Sequence, residues 1–153
     1  MKKYKKPKYW GKACKELSLK DPILKKTIEK YCKIVLFSRN DPFTTLARSI
    51  IGQQISVNVA DKIWNKLKKS ITTEDITDLE LINPHDLLFS QIHLSKIGLS
   101  QKKINYLIEL ARFFTANPDY GKNFSHLSDD EIIKKLIKHN GIGPWTAKMF
   151  LLF

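Results

Sequence analysis

The residues best suited to chemistry lie near the end of the chain, in the stretch Gly141-Ile142-Gly143-Pro144. Two glycines at this spacing allow a tight turn, because glycine accepts positive φ and lets another backbone come close. Pro144 suits the first position of a helix, where its missing N–H costs nothing. Such a hairpin presents free backbone N–H groups at the positive end of a helix dipole, a geometry that can hold a phosphate without reading a base. An ordinary turn between two helices is the alternative interpretation.

The elements that must position this turn are predicted to be helices. Ser128-Asp-Asp-Glu131 has the spacing of a capping box, which indicates a helix start. Apolar residues recur every three or four positions from Thr44 to Leu67, with a break expected near Gly52. No stretch alternates convincingly over five or more residues, so we predict an all-α fold with its main loop at residues 115–127. Three further helix starts are indicated where an Asx residue precedes a proline: Asp21-Pro22, Asp41-Pro42 and Asn83-Pro84.

The charge of the chain is strongly positive and uneven. The 153 residues include 27 Lys and Arg against 15 Asp and Glu, a net charge of +12, which indicates a nucleic acid or another anionic partner. Residues 1–40 hold 13 of the basic residues and 3 of the acidic ones. We therefore predict a basic, helical N-terminal flank at 1–40 and one domain at 41–153. A solvated, lysine-rich flank with no DNA contact is the alternative for residues 1–40.

Several classes of protein are disfavoured by composition. No run of about 18 apolar residues is present, and the N-terminus lacks a signal-peptide core, so we expect a cytoplasmic protein without a membrane partner. Cys14 and Cys32 are too few for a four-cysteine iron–sulfur cluster. The histidines show no metal-ligand spacing. No cofactor is therefore expected to be required.

Three stretches, in this order along the chain, resemble the helix-hairpin-helix DNA glycosylases: LARSIIGQQISVNVADKIW, GLSQKKINYL and GIGPWTA. The resemblance extends over roughly residues 9–153 and is closest to the DNA-3-methyladenine glycosylase II branch. It implies a two-lobed helical glycosylase fold, incomplete here at its C-terminus. It also implies a base excision repair enzyme that binds duplex DNA, flips out an alkylated purine such as 3-methyladenine and hydrolyses its N-glycosidic bond. We expect the complete domain to be a monomer associated with the nucleoid.

The resemblance also implies a catalytic aspartate that stabilises the cationic sugar as the base leaves. Its expected position is roughly a dozen residues past Phe153. Asp129 and Asp130 precede the hairpin and are better explained as acids in the first turn of a helix. We therefore assign no catalytic residue in this chain, expect it to be inactive and interpret its apolar end as a truncation within the domain. The alternatives are a non-catalytic helix-hairpin-helix DNA-binding module and a helical scaffold without a nucleic-acid role.

Residue by residue, the resemblance assigns two positions to the base pocket. Trp145 stands where lyase-type relatives carry a lysine nucleophile, so the sequence resembles the monofunctional branch. Trp145 and Met149 are expected to contact the substrate base, and the electron-rich face of the Trp145 ring suits a purine made cationic by alkylation. A core position for Trp145 is the alternative.

The remaining assignments concern DNA and a cation. Gln53 and Gln54 fall in the turn expected to face DNA, with Gln54 as the residue that fills the gap left by a flipped base; a buried or capping glutamine is the alternative for each. Lys103 is expected to add charge at a second approach to phosphate, around Gly98 and Ser100, and a solvated helix start is the alternative for it. Further DNA-binding positions are Gly98, Ser100, Lys102, Gly141, Gly143 and Thr146, although a solvated helix start is the alternative for those at 98–102. The backbone carbonyls assigned to a Na⁺ or K⁺ ion are those of Ile137, His139 and Ile142.

Overall fold

The computed structural model describes residues 7–31, 41–71, 81–89 and 94–152. Within these ranges there are helices, turns and irregular segments but no β-strand, which confirms the predicted all-α fold. The α-helices are α1 (Trp10–Lys20), α2 (Pro22–Tyr31), α3 (Pro42–Gly52), α4 (Val57–Ile71), α5 (Pro84–Phe89), α6 (Gln101–Ala116), α7 (Asp129–Leu136) and α8 (Pro144–Phe150). Short 3-10 helices occur at Ser95–Ile97 and Phe124–His126.

The predicted helix starts are confirmed, and so is the predicted break. Asp41 caps α3, where its carboxylate accepts a backbone N–H of the first turn at 2.7 Å. Ser128 and Glu131 form both bonds of the capping box at the start of α7. α3 ends at Gly52 and α4 begins at Val57, so the break falls where the sequence placed it. Local signals therefore determine these helix boundaries.

The chain divides into two compact units. One contains α1 and α2, which pack against each other and have no fully buried residue. The other, Asp41–Leu151, contains α3 to α8 and the hydrophobic core. None of the described helices is long and apolar enough to cross a membrane.

Helix α3 lies at the centre of the second unit and packs against α4, α6 and α8. Each large apolar side chain buried in this way stabilises the fold by about 1.5–3 kcal/mol. Because α3 packs on α8, the core fixes the relative position of two connecting segments. One joins α3 to α4, and the other joins α7 to α8. The apolar residues of α3 and α6 that are almost wholly buried are Phe43, Leu46, Ala47, Ile50, Ile51, Leu107, Leu110 and Ala111.

The predicted loop at residues 115–127 is largely confirmed, since α6 ends at Ala116 and only the 3-10 helix at Phe124–His126 interrupts it. Tyr120 holds this loop against the helices. Its ring lies edge-on to Phe113, with 4.7 Å between ring centroids, and also contacts Phe124 at 5.3 Å.

Candidate nucleic-acid interface

Helices α7 and α8 are joined by residues 137–143, the hairpin loop. Gly141 in this loop has φ +82°, a backbone conformation that disfavours any residue with a side chain. A Cβ atom at Gly141 would lie 2.3 Å from Cδ2 of Tyr106 on α6. Ile142 is 4% exposed and packs into the core. The fold of the loop therefore requires a glycine at position 141.

Gly143 differs from Gly141 both in its backbone conformation and in the space around it. Its φ of −90° with ψ 175° is open to any residue, so the positive φ that favours glycine occurs at Gly141 alone in this loop. A Cβ atom at Gly143 would meet nothing within 4 Å, and the residue is exposed. The protein itself does not require a glycine here. The space in front of Gly143 is open to another molecule.

The first turn of α8 supplies free donors beside that space. The N–H of Ala147 donates to the Gly143 carbonyl at 3.0 Å, which is the first bond of the helix. The N–H groups of Trp145 and Thr146 precede it and have no acceptor within the helix. They lie at the positive end of the helix dipole, where an anion is stabilised.

The connection between α3 and α4, residues 53–56, forms a second exposed turn, which we call the wedge turn. Gln54 there has φ +57° and is the one non-glycine residue with positive φ in the described ranges. The left-handed conformation costs an L-residue about 1–2 kcal/mol, so contacts with surrounding groups must hold it. Gln54 is exposed.

Gln53 joins the wedge turn to the hairpin loop. Its Nε2 donates to the Gly141 carbonyl at 2.7 Å and to Thr146 Oγ1 at 3.4 Å. The amide nitrogen of Gln53 is therefore engaged within the protein, and Thr146 is itself buried. The predicted DNA contacts of Gln53 and Thr146 stay predictions, with the Thr146 contact limited to its backbone.

Lys103 supports the wedge turn from the start of α6. Its Nζ donates to the carbonyls of Ile51 at 2.8 Å and Gln53 at 2.6 Å, and its partial burial lowers the pKa of the ammonium. The two carbonyls lie at the C-terminal end of α3, where carbonyl groups need hydrogen-bond donors from outside the helix. The Lys103 ammonium thus binds backbone carbonyls of the protein, and its expected contribution of charge for a phosphate stays a prediction.

The other residues predicted at this end of α6 are exposed. Gly98 has φ +93°, and Ser100 caps the helix by accepting the Lys103 N–H at 3.4 Å. Lys102 lies with its Nζ 5.9 Å from the centroid of the Tyr106 ring. Lys102 is exposed, whereas Lys103 is partly buried.

Trp145 and Met149 lie four residues apart on α8 and therefore on one face of it. Trp145 is 68% exposed, so the alternative of a core position is wrong. Met149 is partly buried. A large apolar ring exposed beside free N–H donors can contact a base.

His139 supports the hairpin loop with both its side chain and its backbone. Its Nε2 lies 3.1 Å from the Tyr120 hydroxyl, and its ring is edge-on to Phe113. Burial lowers the pKa of His139 and raises that of Tyr120. The carbonyl of His139 accepts the Ile142 N–H at 3.1 Å, which uses one of its two lone pairs. No group of three or more His, Cys, Asp or Glu that could hold a metal occurs in the described part of the chain.

Comparison with known proteins identifies this arrangement. The family described as HhH-GPD superfamily base excision DNA repair protein matches residues 47–149, which include the second half of α3, the wedge turn, α6 and the hairpin loop. The chain belongs to this family. The resemblance to helix-hairpin-helix glycosylases noted in the sequence is thereby confirmed.

Individual relatives of this HhH-GPD protein agree. A DNA-3-methyladenine glycosylase of Saccharomyces cerevisiae is 33% identical to it, over 92% of this chain and 51% of the relative. The crystal structure of a Bacillus halodurans DNA-3-methyladenine glycosidase matches 74% of this chain and 50% of its own, with 28% identity and a TM-score of 0.64. A Schizosaccharomyces pombe 3-methyladenine DNA glycosylase in complex with abasic DNA matches 72% of this chain and 52% of its own, with 26% identity and a TM-score of 0.59. The HhH-GPD chain thus spans about half the length of the relatives it matches.

Two contacts that hold the wedge turn and the hairpin loop in place are not indicated by the sequence, those of Tyr106 and Lys103. The sequence does not indicate a role for Tyr106, although its ring fills the space beside Gly141. The sequence also does not indicate that Lys103 binds the carbonyls of Ile51 and Gln53. Both act across large sequence separations, 35 residues from Tyr106 to Gly141 and 50 from Lys103 to Gln53. The sequence does show that Lys103 and Tyr106 are three residues apart on α6 and therefore lie on the same face of the helix.

Proposed function

We propose that the chain is the DNA-binding part of a monofunctional DNA glycosylase of the DNA-3-methyladenine type, which removes alkylated purines from duplex DNA. Its HhH-GPD family and its 3-methyladenine glycosylase relatives support this proposal. The observation that carries it is the bond from Gln53 Nε2 to the Gly141 carbonyl, 2.7 Å long. This bond places the wedge turn and the hairpin loop side by side, as one DNA duplex would require.

The hairpin loop is the proposed phosphate site. A phosphate oxygen would accept the N–H groups at the start of α8, and the open space at Gly143 would admit the DNA backbone. Gly98 and Ser100 would approach a second phosphate, with Lys102 adding positive charge. These contacts fix the position of the duplex and carry no base preference.

Gln54 is the proposed wedge. It projects from an exposed turn in a strained conformation, and a polar amide can fill the gap of a flipped nucleotide while contacting the unpaired base opposite. Trp145 and Met149 would receive the flipped base. The face of the exposed Trp145 ring would attract a purine that alkylation has made cationic.

A monovalent cation is proposed at the hairpin loop as an additional support. Carbonyl oxygens are suitable ligands for hard cations, and the His139 carbonyl keeps one lone pair after accepting the Ile142 N–H. The carbonyls of Ile137, His139 and Ile142 would hold Na⁺ or K⁺ there. Such a charge would add to the attraction of the loop for phosphate.

A non-catalytic DNA-binding module is the second candidate for residues 1–153 taken alone. Three of the carboxylates described in this unit have partners within it: Asp61 pairs with Arg48 at 2.6 Å, Glu109 accepts from Asn140 at 2.9 Å, and Glu131 closes the capping box. The resemblance places the glycosylase carboxylate outside these residues. We therefore expect the 153-residue chain to bind DNA and not to release a base.

Two assays test the proposal together. Fluorescence anisotropy with a labelled duplex, at about 50 mM and about 200 mM salt, should show binding that weakens as salt rises. Incubation with methylated DNA should free no 3-methyladenine above background. Absence of salt-dependent binding would refute the DNA role. Enzyme-dependent release by residues 1–153 would instead refute the assignment of no catalytic residue to them.

A further inference from the structure

One partly buried contact links the start of α6 to the wedge turn. Lys103 Nζ donates to the carbonyls of Ile51 and Gln53, on either side of the end of α3. Gln54, the next residue, is exposed and held at φ +57°. The carbonyl that Lys103 binds at 2.6 Å therefore belongs to the peptide group that leads into the strained residue.

The same segment is fixed from the other side by the hairpin loop. Gln53 donates from its side chain to the Gly141 carbonyl while its backbone carbonyl accepts from Lys103. Tyr106, one helical turn beyond Lys103, packs its ring against Gly141. Residues three apart share a helix face, so one face of α6 contacts both the wedge turn and the hairpin loop.

We infer that Lys103 is a positioning residue, whose ammonium sets the conformation in which Gln54 enters a gap in the duplex. Its charge acts on two carbonyls of the protein and not on a DNA phosphate. The inference rests on the proposed function. It means that a residue outside the wedge turn controls the conformation of Gln54. Substitution of Lys103 should therefore differ in effect from substitution of Lys102, which has the same charge on an exposed side chain.

The test compares Lys103→Met with Lys102→Met in the full 153-residue chain. For each variant, anisotropy gives the ratio of Kd for intact duplex to Kd for the same duplex with a tetrahydrofuran abasic-site analogue. Lys102→Met should weaken binding to both duplexes alike, because it removes a charge that reads no base. Lys103→Met should reduce the ratio by about tenfold, because a strong charge-assisted hydrogen bond that orders the wedge turn is lost.

A double substitution shows whether Lys103 acts through Gln54. If it does, Lys103→Met combined with Gln54→Ala should reduce the ratio no further than Gln54→Ala alone. Full additivity of the two losses would overturn the inference. Circular dichroism checks that each variant is folded, and Lys103→Gln, which removes the charge but keeps an amide donor, replaces Lys103→Met if that variant unfolds.

The outcomes for the inference and for the proposed function are distinct. A wild-type chain that binds neither duplex refutes both. A wild-type chain that prefers the abasic duplex, with Lys103 variants that keep that preference as Lys102→Met does, refutes the inference alone.

Discussion

Gly141→Ala should destabilise the domain through two separate effects. The left-handed φ of +82° costs an L-residue about 1–2 kcal/mol. The new Cβ would lie 2.3 Å from Cδ2 and 2.7 Å from Cγ of Tyr106, so the ring must move, and such overpacking costs about 1–3 kcal/mol. Together we expect the free energy of unfolding to fall by about 2–5 kcal/mol.

Gly143→Ala is the matched control, two residues away in the same loop. It has no conformational or steric penalty, and alanine is only a poorer N-cap for α8, so the loss of stability should stay below about 1 kcal/mol. Its methyl group would instead occupy the proposed phosphate site. We expect Gly143→Ala to weaken duplex binding by about tenfold or more, at near-normal stability.

Urea unfolding followed by circular dichroism, together with anisotropy on an intact duplex, measures both quantities. In a Tyr106→Ala background the ring is absent, so Gly141→Ala should lower the free energy of unfolding only by the cost of the left-handed φ, about 1–2 kcal/mol. A Gly141→Ala chain as stable as wild type would refute the steric reasoning. A Gly143→Ala chain that binds DNA normally would refute the proposed phosphate site.

Three further substitutions have expected outcomes. Gln54→Ala should weaken binding to the abasic-site duplex more than to the intact duplex, and equal losses by anisotropy would remove Gln54 from the wedge role. Trp145→Ala should change stability by no more than about 0.5 kcal/mol because the ring is exposed, yet weaken binding to a duplex carrying cationic 7-methylguanine by about threefold relative to the abasic duplex. Burial lowers the pKa of His139, so its neutral form stabilises the fold above the unfolded pKa of about 6.5 and that stability is lost as pH falls through the folded pKa. His139→Gln should therefore reduce the loss of stability between pH 7.5 and pH 5, measured by urea unfolding at several pH values.

The features that the sequence predicted correctly depend on neighbouring residues. Asp41 before a proline, and the capping box of Ser128 and Glu131, specify helix starts through bonds spanning three residues. The hairpin loop could be predicted for the same reason. The bond from Gln53 to Gly141 crosses 88 residues, and nothing local in either segment encodes it.

Lys103 illustrates the same limit. A lysine near the start of a helix in a basic protein usually faces solvent, and its sequence neighbours do not distinguish it from Lys102. Only the packing of α6 against α3 brings its ammonium to the end of α3. The direction of a side chain is set here by tertiary structure, so residue type and spacing could predict the exposed groups of the site but not its internal bonds.

Amide hydrogen exchange, measured with and without duplex DNA, tests most directly the claim that the wedge turn and the hairpin loop form one DNA-binding surface. Binding of an abasic-site duplex should slow exchange in residues 139–146, in the wedge turn and near the start of α6, all in the same titration. Protection limited to α1 and α2, or binding without protection of the hairpin loop, would contradict the account.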